Sequence, residues 1–277
     1  MPAAYRLAYI ASLPHSRSTL LDLILNAHSQ CISVGEVFHL RSYAQCDQGV
    51  RKYGSRCSCG AQTIFDCPFW TEVDTALRRH HLSLSRIDLM SPSERVFYEH
   101  NSALFSAIAK VSGAQLIIDS GKANTRLARL VACRPSIDIA PIHLLRDPRG
   151  YYHSNRRNHR ITPLSAGFTY SISTMRRLWL LRKLDHVVVS YESIARRPVE
   201  TLTQLTDWLG IEFEPDQLNW AAKERHNLAG NRIRMHKEGT IQIDEEWKRN
   251  LSAVQSMAVL APSCIPYAVG IRKALGP

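Results

Sequence analysis

Apolar residues open the chain as a nearly unbroken run from Arg6 to Leu13 that stops at Pro14. Five polar residues follow, and apolar positions resume with helical spacing at Leu20, Leu21, Leu23, Ile24 and Leu25. The pattern predicts a strand, a turn through His15, Ser16, Arg17, Ser18 and Thr19, and a helix from Thr19 to Ala27. Unbroken Val/Ile/Leu runs recur from Ala114 to Asp119, Ile139 to Leu145 and His186 to Ser190. Such runs suit strands covered on both faces of a parallel sheet. Helical periods lie from Pro92 to Val111, Asn124 to Cys133, Pro163 to Leu184, Pro198 to Leu209 and Asp216 to Arg225, with Pro198 a good opening and Gly210 a good stop. Alternating strands and helices predict an α/β chain with a central, mainly parallel sheet. The stretch from Leu40 to His81 fits no period and reads as an insertion, at about 40–81, in one domain spanning 1–277.

Composition changes this picture little. The chain has 277 residues and a formal charge of +11, with basic residues spread throughout, which suits an anionic ligand as well as nucleic acid. Only Arg6 precedes the first apolar run, and no small-residue cleavage site follows it, so a cytoplasmic chain is expected. The run Met257 to Ile271 is apolar, but it is fifteen residues long and carries Pro262 and Pro266, so no membrane anchor is expected.

Seven cysteines occur, and four of them (Cys46, Cys57, Cys59 and Cys67) fall within the insertion. The C-x-C pair with Cys67 eight residues on can ligate a metal if Cys46 closes a four-thiolate set. C-x-C is not the usual C-x₂-C spacing, so zinc, a disulfide and reduced thiols all stay open. Cys31, Cys133 and Cys264 stand in apolar company and read as small core residues.

The polar pentad lies at a predicted helix N-terminus. Unpaired N–H groups and about half a positive charge there attract anions, and Ser16, Ser18 and Thr19 add hydroxyl donors. An ordinary N-cap would explain the serines equally well. No G-x-x-x-x-G-K-[ST] loop is present. A second strand end, Arg146-Asp147-Pro148-Arg149, is followed by a predicted helix carrying Ser154. Parallel sheets bind ligands at the carboxyl ends of their strands, so the two loops can face one ligand with two phosphate-like groups.

Together these stretches resemble the sulfotransferases that use 3′-phosphoadenosine 5′-phosphosulfate (PAPS), in particular the bacterial, carbohydrate and tyrosyl-protein branches. In that family P-[RK]-S-G-[ST]-[ST] binds the 5′-phosphosulfate, and Pro14, His15, Ser16, Arg17, Ser18 and Thr19 occupy it here. The family's R-[DN]-x-[RK]-x₄-S binds the 3′-phosphate, and Arg146, Asp147, Pro148, Arg149 and Ser154 match it in full. Gly35-Glu36 is similar to the Gly-Glu whose carboxylate is the general base of the tyrosyl-protein branch, and His39 is the alternative base. Asp119-Ser120-Gly121-Lys122 and the G-N-x-x-R stretch from Gly230 to Arg234 resemble segments of bacterial members, and Trp247 and Lys248 lie where the family covers the nucleotide.

The resemblance implies a three-layer fold like that of the P-loop-containing nucleoside triphosphate hydrolases. It implies a transferase that moves a sulfuryl group from PAPS to an acceptor hydroxyl of a glycan, phenol or small metabolite, with adenosine 3′,5′-bisphosphate (PAP) as product and no metal required. Glu36, His15 and Arg17 are the expected catalytic groups. His15, Ser16, Arg17, Ser18, Thr19, Lys122, Arg146 and Ser154 are the expected nucleotide contacts. Arg149, Arg156, Arg157 and Arg160 are further phosphate or acceptor candidates, although such a run is usually a solvated face and none is counted as catalytic. The chain departs from the family in having His15 for Lys or Arg and Arg17 for Gly. Either Arg17 shares the leaving-group charge with His15, or it points to solvent and His15 acts alone. The other readings are a nucleotide-dependent phosphotransferase of the same architecture and a basic nucleic-acid-binding protein, although no helix-turn-helix, zinc-finger or RNP motif is present. The acceptor pocket is expected roughly within 40–99 and 163–182. Acceptor identity and oligomeric state are not readable.

Overall fold

A computed structural model describes residues 5–45, 57–133, 137–157 and 160–275. Its core is a five-stranded, wholly parallel sheet of β1 (Arg6–Ala11), β2 (Cys31–Gly35), β3 (Leu116–Lys122), β4 (Asp138–Leu145) and β5 (Val187–Ser190), in the order β2-β3-β1-β4-β5. Successive residues of β1 point into different cores, as strand geometry requires. Leu7 and Tyr9 pack with Trp70, Phe97, Leu104 and Leu127 on one face, and Ala8 and Ile10 pack with Leu21, Leu202 and Leu205 on the other. Burial on both faces gives three layers and explains why the strands read as unbroken apolar runs.

One outer layer holds α3 (Pro68–Arg78), α4 (Glu94–Ser112) and α5 (Asn124–Ala132), and the other holds α1 (Ser18–Asn26), α8 (Tyr191–Arg196) and α9 (Pro198–Leu209). Helix α2 (Leu40–Gln45) follows β2. α6 (Pro148–Arg156), α7 (Pro163–Leu181), α10 (Glu246–Asn250) and α11 (Ala253–Ile271) flank the β4–β5 side.

Three expectations need correction, and one strand was not foreseen. The insertion is not aperiodic, since α3 opens on Pro68 and buries Phe69, Trp70, Val73 and Leu77. The five residues of β2 form an edge strand too short to stand out as an apolar run. From Asp216 to Arg225 only a short 3₁₀ turn, Pro215–Asn219, forms before irregular backbone. The C-terminal apolar run is not broken by its prolines, because α11 runs through Pro262 and Pro266 for 19 residues and is long and apolar enough to cross a membrane by length and composition. Gly167 lets α7 approach it, since a Cβ there would meet Val259 O at 2.4 Å and Pro262 Cγ at 2.5 Å.

The lone cysteines also separate. Cys31 is buried, Cys133 is half-buried, and Cys264 is exposed rather than a core residue. Cys46 lies outside the described residues.

Candidate active site

The loop between β1 and α1 ends the central strand, and its backbone is the first unusual feature. His15 and Arg17 have φ of 62° and 66°, the left-handed region that glycine adopts freely and other residues adopt at about 1–2 kcal/mol. A glycine at the position of Arg17 would adopt this conformation without that cost. Left-handed residues in a turn can bring neighbouring N–H groups to one side, the kind of backbone that suits an anion. Ser16, Ser18 and Thr19 are buried beside it, with Ser18 and Thr19 in the first turn of α1.

Arg146 directly follows β4, with its side chain 1% exposed. Its Nη1 donates to His15 O at 2.7 Å and to Ser154 Oγ at 2.9 Å, and its Nη2 donates to Asp244 Oδ2 at 2.8 Å. Tyr170 Oη donates to Arg146 O at 2.8 Å, fixing the backbone below the guanidinium. Arg146 Nε is buried without a partner. Arg17 also donates to Asp244 Oδ2, and both guanidiniums lie over the Tyr191 ring, 5.6 Å and 5.3 Å from its centroid. Arg17 therefore turns toward the second loop rather than away from the protein. Burial alone would raise the Asp244 carboxyl, but Arg146 and Arg17 outweigh it and hold it below the usual carboxylate range. Burial and the nearby Arg17 depress Arg146.

On the other side of the α1 N-terminus, Gly35 and Glu36 close β2. Gly35 has φ of 66°, and a Cβ there would lie 2.3 Å from Leu228 O. Only glycine lets the 228 backbone come that close, and Glu36 N–H then donates to Leu228 O at 3.0 Å. The Glu36 side chain is 15% exposed and ion-paired with Lys122, and its other oxygen lies 4.0 Å from His39 Nε2. Burial, opposed by Glu36, lowers the basicity of His39.

Lys122 reaches Glu36 from a left-handed residue (φ 62°) at the end of β3. Just before it, Asp119 accepts from Gly121 N–H at 2.8 Å and pairs with Arg126 at 3.0 Å, both side chains fully buried. The D-S-G-K stretch thus locks a strand end that presents a lysine.

The two halves meet at Gly230. A Cβ there would stand 3.2 Å from Thr19 Oγ1 and 3.5 Å from Glu36 Oε1, so the first-loop hydroxyl and the carboxylate flank one point. Asn231 N–H donates to Thr19 Oγ1 at 3.2 Å. Arg234, in the same G-N-x-x-R stretch, is buried and donates to Asn227 O at 3.2 Å. It supports the loop from beneath.

Of the remaining basic candidates, three are engaged elsewhere and one is simply exposed. Arg149 grips Asp147, the N-cap of α6, and stacks on Trp247 at 4.0 Å. Trp247 packs beside Gly150, and the exposed Lys248 pairs with Glu245. Arg156 donates to Asn250 O at 3.1 Å, Arg157 pairs with Glu246, and Arg160 is exposed. Sequence reasoning missed Asp244, Tyr191 and Tyr170, whose partners are distant in the chain. The one available signal was the acidic run Asp244 to Glu246 beside Trp247.

Comparison with known proteins agrees with this geometry. Residues 8–215, more than half of the chain, match the sulfotransferase family. Carbohydrate sulfotransferase 1 of Rattus norvegicus is 27% identical over 148 residues, covering 43% of this chain and 35% of the relative, and that of Homo sapiens gives the same figures. The match thus spans about a third of these curated relatives' length. The sulfotransferase domain from the curacin biosynthetic pathway superposes with a TM-score of 0.60 at 19% identity, over 94% of this chain and 98% of that one. The sulfotransferase domain of the Synechococcus PCC 7002 olefin synthase also gives 0.60 and 19%, over 94% and 95%. These neighbours share the P-loop-like fold. A family match over this span, on a parallel sheet with helices on both faces, makes the chain a member of the sulfotransferase family.

Proposed function

We propose that the protein transfers a sulfuryl group from PAPS to an acceptor hydroxyl, with Glu36 as general base. The observation that carries the reading is the convergence of Arg146 and Arg17, one from each anion-binding stretch, on the Asp244 carboxylate. Asp244 stands where an oxyanion belongs, and the buried, unpartnered Arg146 Nε suits a ligand with more acceptors than one carboxylate. These residues fit a nucleotide phosphate. In this account Arg146 and Ser154 hold the 3′-phosphate with Arg17 beside them, and the loop N–H groups with Ser16, Ser18 and Thr19 hold the 5′ side.

PAPS supplies an activated sulfuryl group whose transfer leaves negative charge on the 5′-phosphate. Preorganised donors that meet such charge are the largest single contribution in comparable group transfers. The first loop, His15 and Lys122 provide them. Glu36, beside Thr19 at Gly230, takes the acceptor's proton, a contribution of about 10²- to 10⁴-fold. His39, less basic through burial, orients the carboxylate. The relatives' name makes a carbohydrate hydroxyl the acceptor class to test first. A phosphotransferase would want a Gly-Lys-Ser/Thr loop that the chain lacks, and no recognised motif favours the nucleic-acid reading.

Calorimetric titration with PAP, AMP and ATP tests the donor site. PAP is expected to bind tightly and to lose most of that affinity in Arg146→Ala, with AMP far weaker. Equal binding of ATP, or no binding of PAP, refutes the reading.

A further inference from the structure

Outside this site, three cysteines and one histidine face a single point. Cys57, Cys59 and Cys67 Sγ and one ring nitrogen of His226 all lie within 4.8 Å of one another. Cys59 Sγ and Cys67 Sγ are 3.6 Å apart, and Cys67 Sγ is 3.3 Å from His226 Nδ1. A disulfide would need about 2.05 Å between sulfurs. Tetrahedral zinc with Zn–S of about 2.3 Å and Zn–N of about 2.0 Å has S–S edges of about 3.75 Å and S–N edges of about 3.5 Å. The sulfur–sulfur and sulfur–nitrogen separations of 3.6 and 3.3 Å lie near the zinc polyhedron's edges and far from a disulfide.

We propose that Cys57, Cys59, Cys67 and His226 Nδ1 bind one zinc ion that clamps the 57–67 loop to the loop beneath Glu36. The three thiols give up their protons to solvent as the ion binds. Four protein ligands leave no open position, so the site is structural rather than catalytic. Three thiolates and an imidazole select zinc over magnesium or calcium. Cys46, the fourth ligand considered from spacing, is not needed. His226 replaces it from 159 residues beyond Cys67.

The surroundings are built to orient these ligands. Cys67 is the N-cap of α3, an 11-residue helix whose positive end favours a thiolate. The Phe69 ring stacks on the His226 ring at 4.8 Å and 11°, and Trp70 Nε1 donates to His226 O at 2.9 Å. His226 Nε2 faces the Glu224 carboxylate at 3.9 Å, leaving Nδ1 for the metal. Ser58 N–H donates to Asn227 O at 3.3 Å, and Asn227 N–H donates to Ser58 Oγ at 2.8 Å. Two residues past His226, Leu228 O accepts from Glu36 N–H. The ion therefore anchors the backbone against which the Gly35-Glu36 corner is set.

The test is metal analysis of the full chain, purified under reducing conditions with zinc supplied. About one zinc per chain is expected, and Co²⁺ in its place should show thiolate charge transfer and strong tetrahedral visible bands. His226→Ala and Cys59→Ser should each lower zinc retention against a chelator by more than about tenfold. Cys59 is half-exposed, so its serine variant should fold. In the wild type, chelation should lower Tm and speed amide exchange over 226–231. A metal-free chain after zinc reconstitution, an octahedral cobalt spectrum, unchanged retention in both variants, or a disulfide among the three cysteines overturns the proposal.

Discussion

Asp244→Asn isolates the electrostatics of the anion site. In the wild type its Oδ2 accepts from both Arg146 and Arg17, and the Arg146 side chain is 1% exposed. On the proposed reading, a 3′-phosphate arriving at Arg146 displaces this carboxylate. Each charge-assisted hydrogen bond of this kind is worth about 1.5–3 kcal/mol. The released Asp244 side chain regains solvation, which offsets roughly one of the two bonds, so the competition costs the ligand about 1.5–3 kcal/mol. Asparagine keeps the shape but not the charge, and PAP affinity should rise by roughly 10- to 150-fold. The unliganded variant should melt lower, because two guanidiniums lose their counterion. Calorimetry with PAP and AMP is the assay. AMP lacks the 3′-phosphate and should gain little. Unchanged or weaker PAP binding, or an equal gain for AMP, would refute the displacement argument.

Other expectations follow from single contacts. Gly35→Ala forces a Cβ to 2.3 Å from Leu228 O at φ of 66°, and should destabilise by about 2–4 kcal/mol, a Tm loss of roughly 5–15 °C in a thermal melt; an unchanged Tm contradicts it. His143, fully buried and beside Arg177, is pushed well below its usual pKa by burial and then by that cation. Its folded form stays neutral where the unfolded chain takes up a proton, so its contribution is lost as pH falls below about 6.5. Asp22 works in the opposite sense, since burial raises it from 3.8 to about 7, and its contribution is lost as pH rises toward 7. Urea midpoints at pH 7.5 and 5.5 should therefore show His143→Gln less acid-sensitive than the wild type, and equal sensitivity counts against the assignment.

What could be read from the sequence was local. The strand, loop and helix around His15 to Thr19 and the Arg146-to-Ser154 stretch announce themselves because short-range periodicity and turn chemistry encode them. Gly35-Glu36 could be matched, but the reason for Gly35 could not, because it lies in the carbonyl of Leu228. The edge strand β2 was hidden by its length. α3 was obscured by the cysteines before it, although Phe69, Trp70, Val73 and Leu77 carry the helical period. Asp244 and His226 act through partners 98 and 159 residues away, a separation that no local pattern reports.

The central claim is sulfuryl transfer with Glu36 as base, and the most direct measurement follows labelled sulfur from PAPS into a panel of carbohydrate and phenolic acceptors, in wild type and Glu36→Gln, alongside PAP affinity. The account predicts transfer by the wild type, a loss of about 10²-fold or more in Glu36→Gln, and PAP binding within a few-fold of the wild type. Full turnover in Glu36→Gln would contradict it.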